Sequence, residues 1–195
     1  MLTETTEITL VTEATVNAKH WAPSSQNGAS QNGTQRNGPM LLLSDEADAG
    51  QWSAFAEMAS ESGHVYATWN VSTYKLIQTI WAIGEPVSVI VQGKETGDKA
   101  LAAAKLTRGG VRALILVDYG LDEDQEPPFN STTCPLVLVR GRQSEIASHR
   151  QIVAARAALG SKCKLVELEN CGSRAAESCP QDFAFTIDWF LGSGS

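Results

Sequence analysis

The chain has 195 residues, of which 43% are apolar and 19% charged, and its 22 acids outweigh 15 bases for a net charge of −7. This is enough chain for one domain with a sizeable core, and the composition is that of a globular protein. No Lys/Arg cluster offers the footprint a nucleic acid needs, and apolar runs such as "RALILV" and "PLVLV" are far too short to span a bilayer.

The opening "MLTETTEITL" is acidic and lacks a basic start followed by an apolar stretch. A secretory leader is not expected, and the cytoplasm is the expected compartment. "TEITLVTE" and "ATVNAKHW" alternate and carry β-branched residues, which predicts an antiparallel strand pair. Residues 24–38 hold three Asn-Gly steps and almost no apolar side chain, so they are expected to form a flexible surface loop.

"MLLLS" is a short continuous apolar strand of the kind buried in a parallel sheet. Residues 49–63 place Trp52, Phe55, Met58 and Ala59 at helical spacing. "HVYATW" is a strand. Residues 71–84 form a helix with Tyr74, Ile77, Ile80 and Trp81 on one face, stopped at Gly84. "PVSVIVQ" is a strand, residues 96–110 a helix, and "VRALILVDYG" a strand. An acidic, proline-containing loop leads to the strand "CPLVLVRG". A helix over 144–160, the strand "CKLVELEN" and a closing helix with Phe183, Ile187, Trp189 and Phe190 as apolar positions complete the chain. Strands alternating with helices predict a parallel sheet covered on both faces.

Cys134, Cys163, Cys171 and Cys179 form no C-x-x-C pair, and the last three are spaced eight apart. That is a poor match to zinc spacings, and free thiols in a reducing compartment are expected, with no metal and no cofactor. The sequons at Asn32, Asn70 and Asn130 read as chance matches.

Taken in order, these pieces resemble the α/β-hydrolase family from nearly end to end. The turn "GKETG" at 93–97, between an apolar strand and a helix, matches the Gly-x-Ser-x-Gly elbow. "VRALILVD", "CPLVLVRG", "LVELENCGS" and "FAFTIDWFL" match the strands and helix that follow it. The resemblance implies a three-layer α/β sandwich: a mostly parallel sheet of about eight strands, an N-terminal antiparallel hairpin and no cap domain. One domain would span 1–195, with a tail at 192–195.

The same resemblance puts the nucleophile position at Glu95, the acid position at Ser144 and the histidine position at Ser173. Ser44 and Asp45 replace the His-Gly near the oxyanion hole. Serine cannot act as the base of a triad, and Asp45 would bring negative charge to where an oxyanion forms. Glu95 reads either as a carboxylate nucleophile or as a polar residue favoured by a helix N-terminus. His20 is expected to be exposed, and His64 to lie at the far end of the sheet. His149, about a turn into its helix, is the one histidine that could face the crevice.

Three functions follow. The first is a noncatalytic protein that binds a protein partner or small ligand at an open crevice at the strand C-termini. That crevice would be lined by Ser44, Asp45, Lys94, Glu95, Thr96, Tyr119, Ser144 and Ser173, with neither nucleic acid nor membrane as partner. The second is an esterase-like hydrolase centred on Glu95 with His149. The third is a designed or degenerate scaffold without a ligand. The first is the preferred reading, and whether the chain is an enzyme stays open here.

Overall fold

A computed structural model describes residues 3–9, 15–23, 38–44, 50–122, 124–128 and 132–192. Most of the 24–38 segment and of the 192–195 tail lies outside the described residues, as do Asp45, Asn32 and Asn130.

Two strands open the chain, β1 (Thr3–Thr9) and β2 (Thr15–Trp21), paired antiparallel over seven positions. Then come β3 (Met40–Ser44), a 3-10 turn (Gly50–Trp52), α1 (Ser53–Ala59), β4 (Val65–Trp69), α2 (Thr73–Ile83), β5 (Val87–Gln92), α3 (Lys94–Leu106) and β6 (Val111–Val117). The chain finishes with β7 (Leu136–Gly141), α4 (His149–Leu159), β8 (Cys163–Leu168), α5 (Ala175–Ser178) and α6 (Pro180–Gly192). The sheet has eight strands in the order β1-β2-β4-β3-β5-β6-β7-β8. β3 through β8 run parallel, and β2 joins β4 antiparallel through Lys19–Trp21 and Val65–Ala67 only. No helix among the described residues is long and apolar enough to cross a membrane.

The central strands are buried on both faces, so their apolar residues run without a break. Alternate side chains feed two cores. Leu41, Leu43, Val89, Val91, Leu114 and Leu116 pack with α2, α3 and α4. Leu42, Ile90, Ile115, Val117 and Val139 pack with α1, α5 and α6, where Phe55 and Phe183 meet edge to face at 4.9 Å.

Local chemistry sets the helix ends. Ser72 caps α2 by accepting from the Lys75 amide, and Gly84 ends it at φ 81°. The expected apolar face of this helix needs correction. Leu76, Ile77 and Ile80 are buried, whereas Tyr74 and Trp81 are 60% and 53% exposed. The helix turns Leu76 inward, and that rotation carries the two aromatics to the rim. α4 begins at His149, not at Ser144. Ser148 and Gln151 form a reciprocal capping box there, which fixes the first turn.

The thiols also differ from expectation. Cys171 and Cys179 form a disulfide, while Cys134 and Cys163 are free. The single turn of α5 folds the chain back and brings the two Cα atoms to 5.7 Å, a normal disulfide span.

Candidate functional site

The C-terminal ends of the parallel strands are where side chains from several strands can converge in such a sheet. β5 stops at Gln92. Gly93 follows at φ 85° and ψ 171°, and α3 starts at Lys94. This backbone region is open almost only to glycine. The bend therefore falls at Gly93, two residues before the centre read from the sequence. Glu95 sits in the first turn of α3 with helical geometry. It is not among the residues with positive φ, and it pairs with Lys99 at 2.9 Å. Its side chain is 75% exposed, and the Lys99 hydrogen bond holds its carboxyl below the usual carboxylate range.

The second glycine of the motif has a different cause. A Cβ on Gly97 would run into the ring of Tyr119. That ring is fully buried beneath α3, and its hydroxyl donates to Asp98 Oδ1 at 2.7 Å. Burial, reinforced by Asp98, pushes the Tyr119 phenol far up, so it stays neutral. Asp98 also takes the Lys94 ammonium at 2.9 Å.

Of the expected crevice residues, Tyr119, Thr96 and Ser44 are buried, with exposures of 0%, 2% and 2%. They belong to the packed floor of this edge and do not line an open surface. Thr96 Oγ1 has no hydrogen-bond partner. Asp45 lies outside the described residues.

Ser144 and Ser173 come together. Ser144 Oγ donates to Ser173 Oγ at 3.4 Å, and Ser173 Oγ accepts the Glu145 amide at 2.9 Å. Gly141 makes this approach possible, because a Cβ there would meet the carbonyls of Cys171 and Gly172.

In the sequence Asp118 is only the last letter of the strand motif "VRALILVD". It is 1% exposed, and its backbone sits at φ 50°. Oδ2 accepts from Gln92 Nε2 at 3.0 Å and from the Arg174 amide at 3.2 Å, and Oδ1 is buried without a partner. Arg174 is itself left-handed, at φ 59°. A polar seam thus runs from Gln92 through Asp118 and Arg174 to Ser173 and Ser144. Long-range pairing of this kind leaves no spacing signal in a sequence.

A second cluster flanks it. Arg140 is 6% exposed; it donates to the Ala147 carbonyl at 2.6 Å and to Glu167 Oε1 at 2.9 Å. His149 Nδ1 lies 3.0 Å from the same oxygen, although the imidazole is 66% exposed. His149 chiefly, and Arg140 after it, hold the Glu167 carboxyl below its ordinary range against the opposing effect of burial. Glu95 and His149 are thus each engaged with a partner of their own.

The other histidines sit elsewhere. His64 immediately precedes β4, at the opposite end of that strand from the seam. His20 is half-buried, not exposed, because its ring stacks on Tyr66 at 4.7 Å and meets His64 at 3.0 Å. Hollows of about 420 and 600 Å³ open between α4 and the loop at 121–126, and neither is lined by Glu95, Ser144 or Ser173. No group of three or more metal-ligating side chains exists among the described residues.

No protein-family model matches the sequence, and no curated protein matches it significantly. Solved structures do. An esterase domain from a Rhodothermus marinus protein superposes with a TM-score of 0.72 at 12% identity, covering 100% of this chain and 98% of its own. A carboxylesterase from Bacillus subtilis gives 0.74 at 9% identity, covering 100% and 93%. A predicted CIB-like hydrolase from Thermoplasma acidophilum gives 0.72 at 14%, covering 99% of each chain. Identities this low speak to architecture alone. Six parallel strands, an antiparallel hairpin at one edge, helices on both faces and near full-length superposition on these enzymes mean that the chain has the α/β-hydrolase fold.

Proposed function

We propose that the chain is a noncatalytic α/β-hydrolase-fold protein that binds a protein partner or a small ligand over the C-terminal edge of its sheet. The observation that carries this reading is Gly93. At the strand-to-helix bend, where a hydrolase of this fold holds its nucleophile, this chain has no side chain. Acyl transfer through a covalent intermediate needs a nucleophile and a base within hydrogen-bond reach of it. The hydroxyls of Ser144 and Ser173 bond to each other and to backbone amides, and His149 is turned to Glu167. The reading places the protein in the cytoplasm and gives it neither nucleic acid nor membrane as partner.

The competing reading is an esterase-like hydrolase centred on Glu95. It draws on the same structural neighbours, whose names are those of esterases and hydrolases. A panel of short-chain chromogenic esters separates the two, run on the wild type and on Glu95→Ala. The expected result is no turnover above background in either protein. Turnover that disappears with Glu95→Ala would establish the competing reading, and turnover that survives it would place the chemistry on another residue.

A further inference from the structure

The loop between β8 and α6 brings Ser173 and Arg174 to the polar seam, and the two cysteines stand at its ends. We propose that the Cys171–Cys179 pair is a thiol-exchange site, addressed by low-molecular-weight thiols and disulfides, whose oxidation state sets the order of the loop that completes the seam.

The two sulfurs are unequal. Cys171 is fully buried and Cys179 is half-buried, so an incoming thiolate reaches Cys179 Sγ first. It forms a mixed disulfide there, and Cys171 departs as a thiolate and takes up a proton. A second thiol of the reagent resolves the mixed disulfide. Both cysteines end as thiols, the reagent ends as its own disulfide, and two electrons have passed to the protein. A small disulfide of the glutathione class runs the exchange in reverse. In a reducing compartment the pair would rest open and close on oxidative challenge. Cys134 and Cys163 compete poorly, because burial raises both thiols, Cys163 to about 11, and keeps them protonated.

Opening the pair leaves residues 171–174 to their polar ties. The Cys171 carbonyl accepts the Gln143 amide at 2.9 Å, Ser173 Oγ accepts the Glu145 amide and the Ser144 hydroxyl, the Arg174 amide reaches Asp118, and the Arg174 guanidinium lies 3.8 Å from the partly exposed Glu177. Against these stand the left-handed backbone of Arg174 and a helix, α5, of only four residues. So short a helix has little stability of its own. Ala175 and Ala176 remain buried against α1 and α6, so the loosening is confined to 171–174 and to the amides of Gln143 and Glu145 that meet it. This rests on the binding-surface reading only for what the loop is used for.

The test needs no partner, so its failure would leave the ester result untouched. After incubation with oxidised glutathione, the protein is denatured without reductant and treated with a maleimide. Two labels are expected, and four would overturn the proposal. Hydrogen exchange is then compared before and after addition of dithiothreitol. The hydrogen-bonded amides of Arg174, Gln143 and Glu145 are expected to exchange roughly tenfold faster once the pair opens, with β5 and α3 unchanged. The variant Cys179→Ala should show the fast pattern with or without reductant. Exchange that does not respond to reductant in the two-label protein would also overturn the proposal.

Discussion

Two junctions at the C-terminal edge of the sheet are built by opposite means. The β5–α3 bend is held by shape: Gly93 takes a backbone conformation closed to other residues, and Gly97 lies against the ring of Tyr119. The β7–β8 side is held by polar contacts, through Ser144, Ser173, Arg140 and Glu167, and by a disulfide. Shape does not titrate and cannot be reduced. The first junction should answer chiefly to changes of side-chain volume, its ion pairs at Lys94–Asp98 and Glu95–Lys99 being partly exposed, while the second should answer to pH and to thiols as well.

The largest effect should come from the one glycine where the polar side also depends on shape. Gly141→Ala drives a Cβ into the carbonyls of Cys171 and Gly172. Backbone yields less than a side chain, so a loss of about 3 kcal/mol or more is expected in urea unfolding. Gly97→Ala should cost about 2–3 kcal/mol by the same measurement, because the Tyr119 ring must shift. Shortening that ring should recover part of the loss, so Gly97→Ala with Tyr119→Leu should be non-additive. Additive losses would mean the bend is not held by this contact. Gly93→Ala, a purely backbone change, should cost about 1–3 kcal/mol.

On the polar side, Glu167 supplies the pH test. Its carboxyl titrates lower in the folded chain than in the unfolded one. Its contribution is therefore complete above the ordinary glutamate value of about 4.3 and fades as pH falls through the lower, folded value. The gap in urea midpoint between wild type and Glu167→Gln should narrow on going from neutral pH to pH values below that range. A constant gap would mean that the charge on Glu167 is immaterial. The smallest effect is expected for Glu95→Ala: its exposed pair with Lys99 should leave the thermal midpoint unmoved.

The parallel strands were legible in the sequence because burial on both faces requires unbroken apolar runs, and "VSVIVQ" and "RALILV" have no other plausible place. The position of the bend is not legible in the sequence, for a specific reason. Gly93 and Gly97 match a five-residue motif, but one is required by its dihedral angles and the other by a tyrosine twenty-two residues later. A pattern of letters cannot separate those causes. Asp118, Arg174 and the cysteine pair were invisible for a related reason, since each acquires its role from a partner on another element. Tyr119 stands two residues past the end of a strand, where an exposed crevice residue would also stand, and only the absent side chain of Gly97 reveals that it turns inward.

The N-terminal hairpin has a mechanical consequence. β1 and β2 share seven paired positions, but β2 is joined to β4 by three. Tension applied at the N-terminus would therefore meet its weakest seam between β2 and β4. The hairpin would come away as a unit and leave a six-stranded parallel sheet whose new edge is β4.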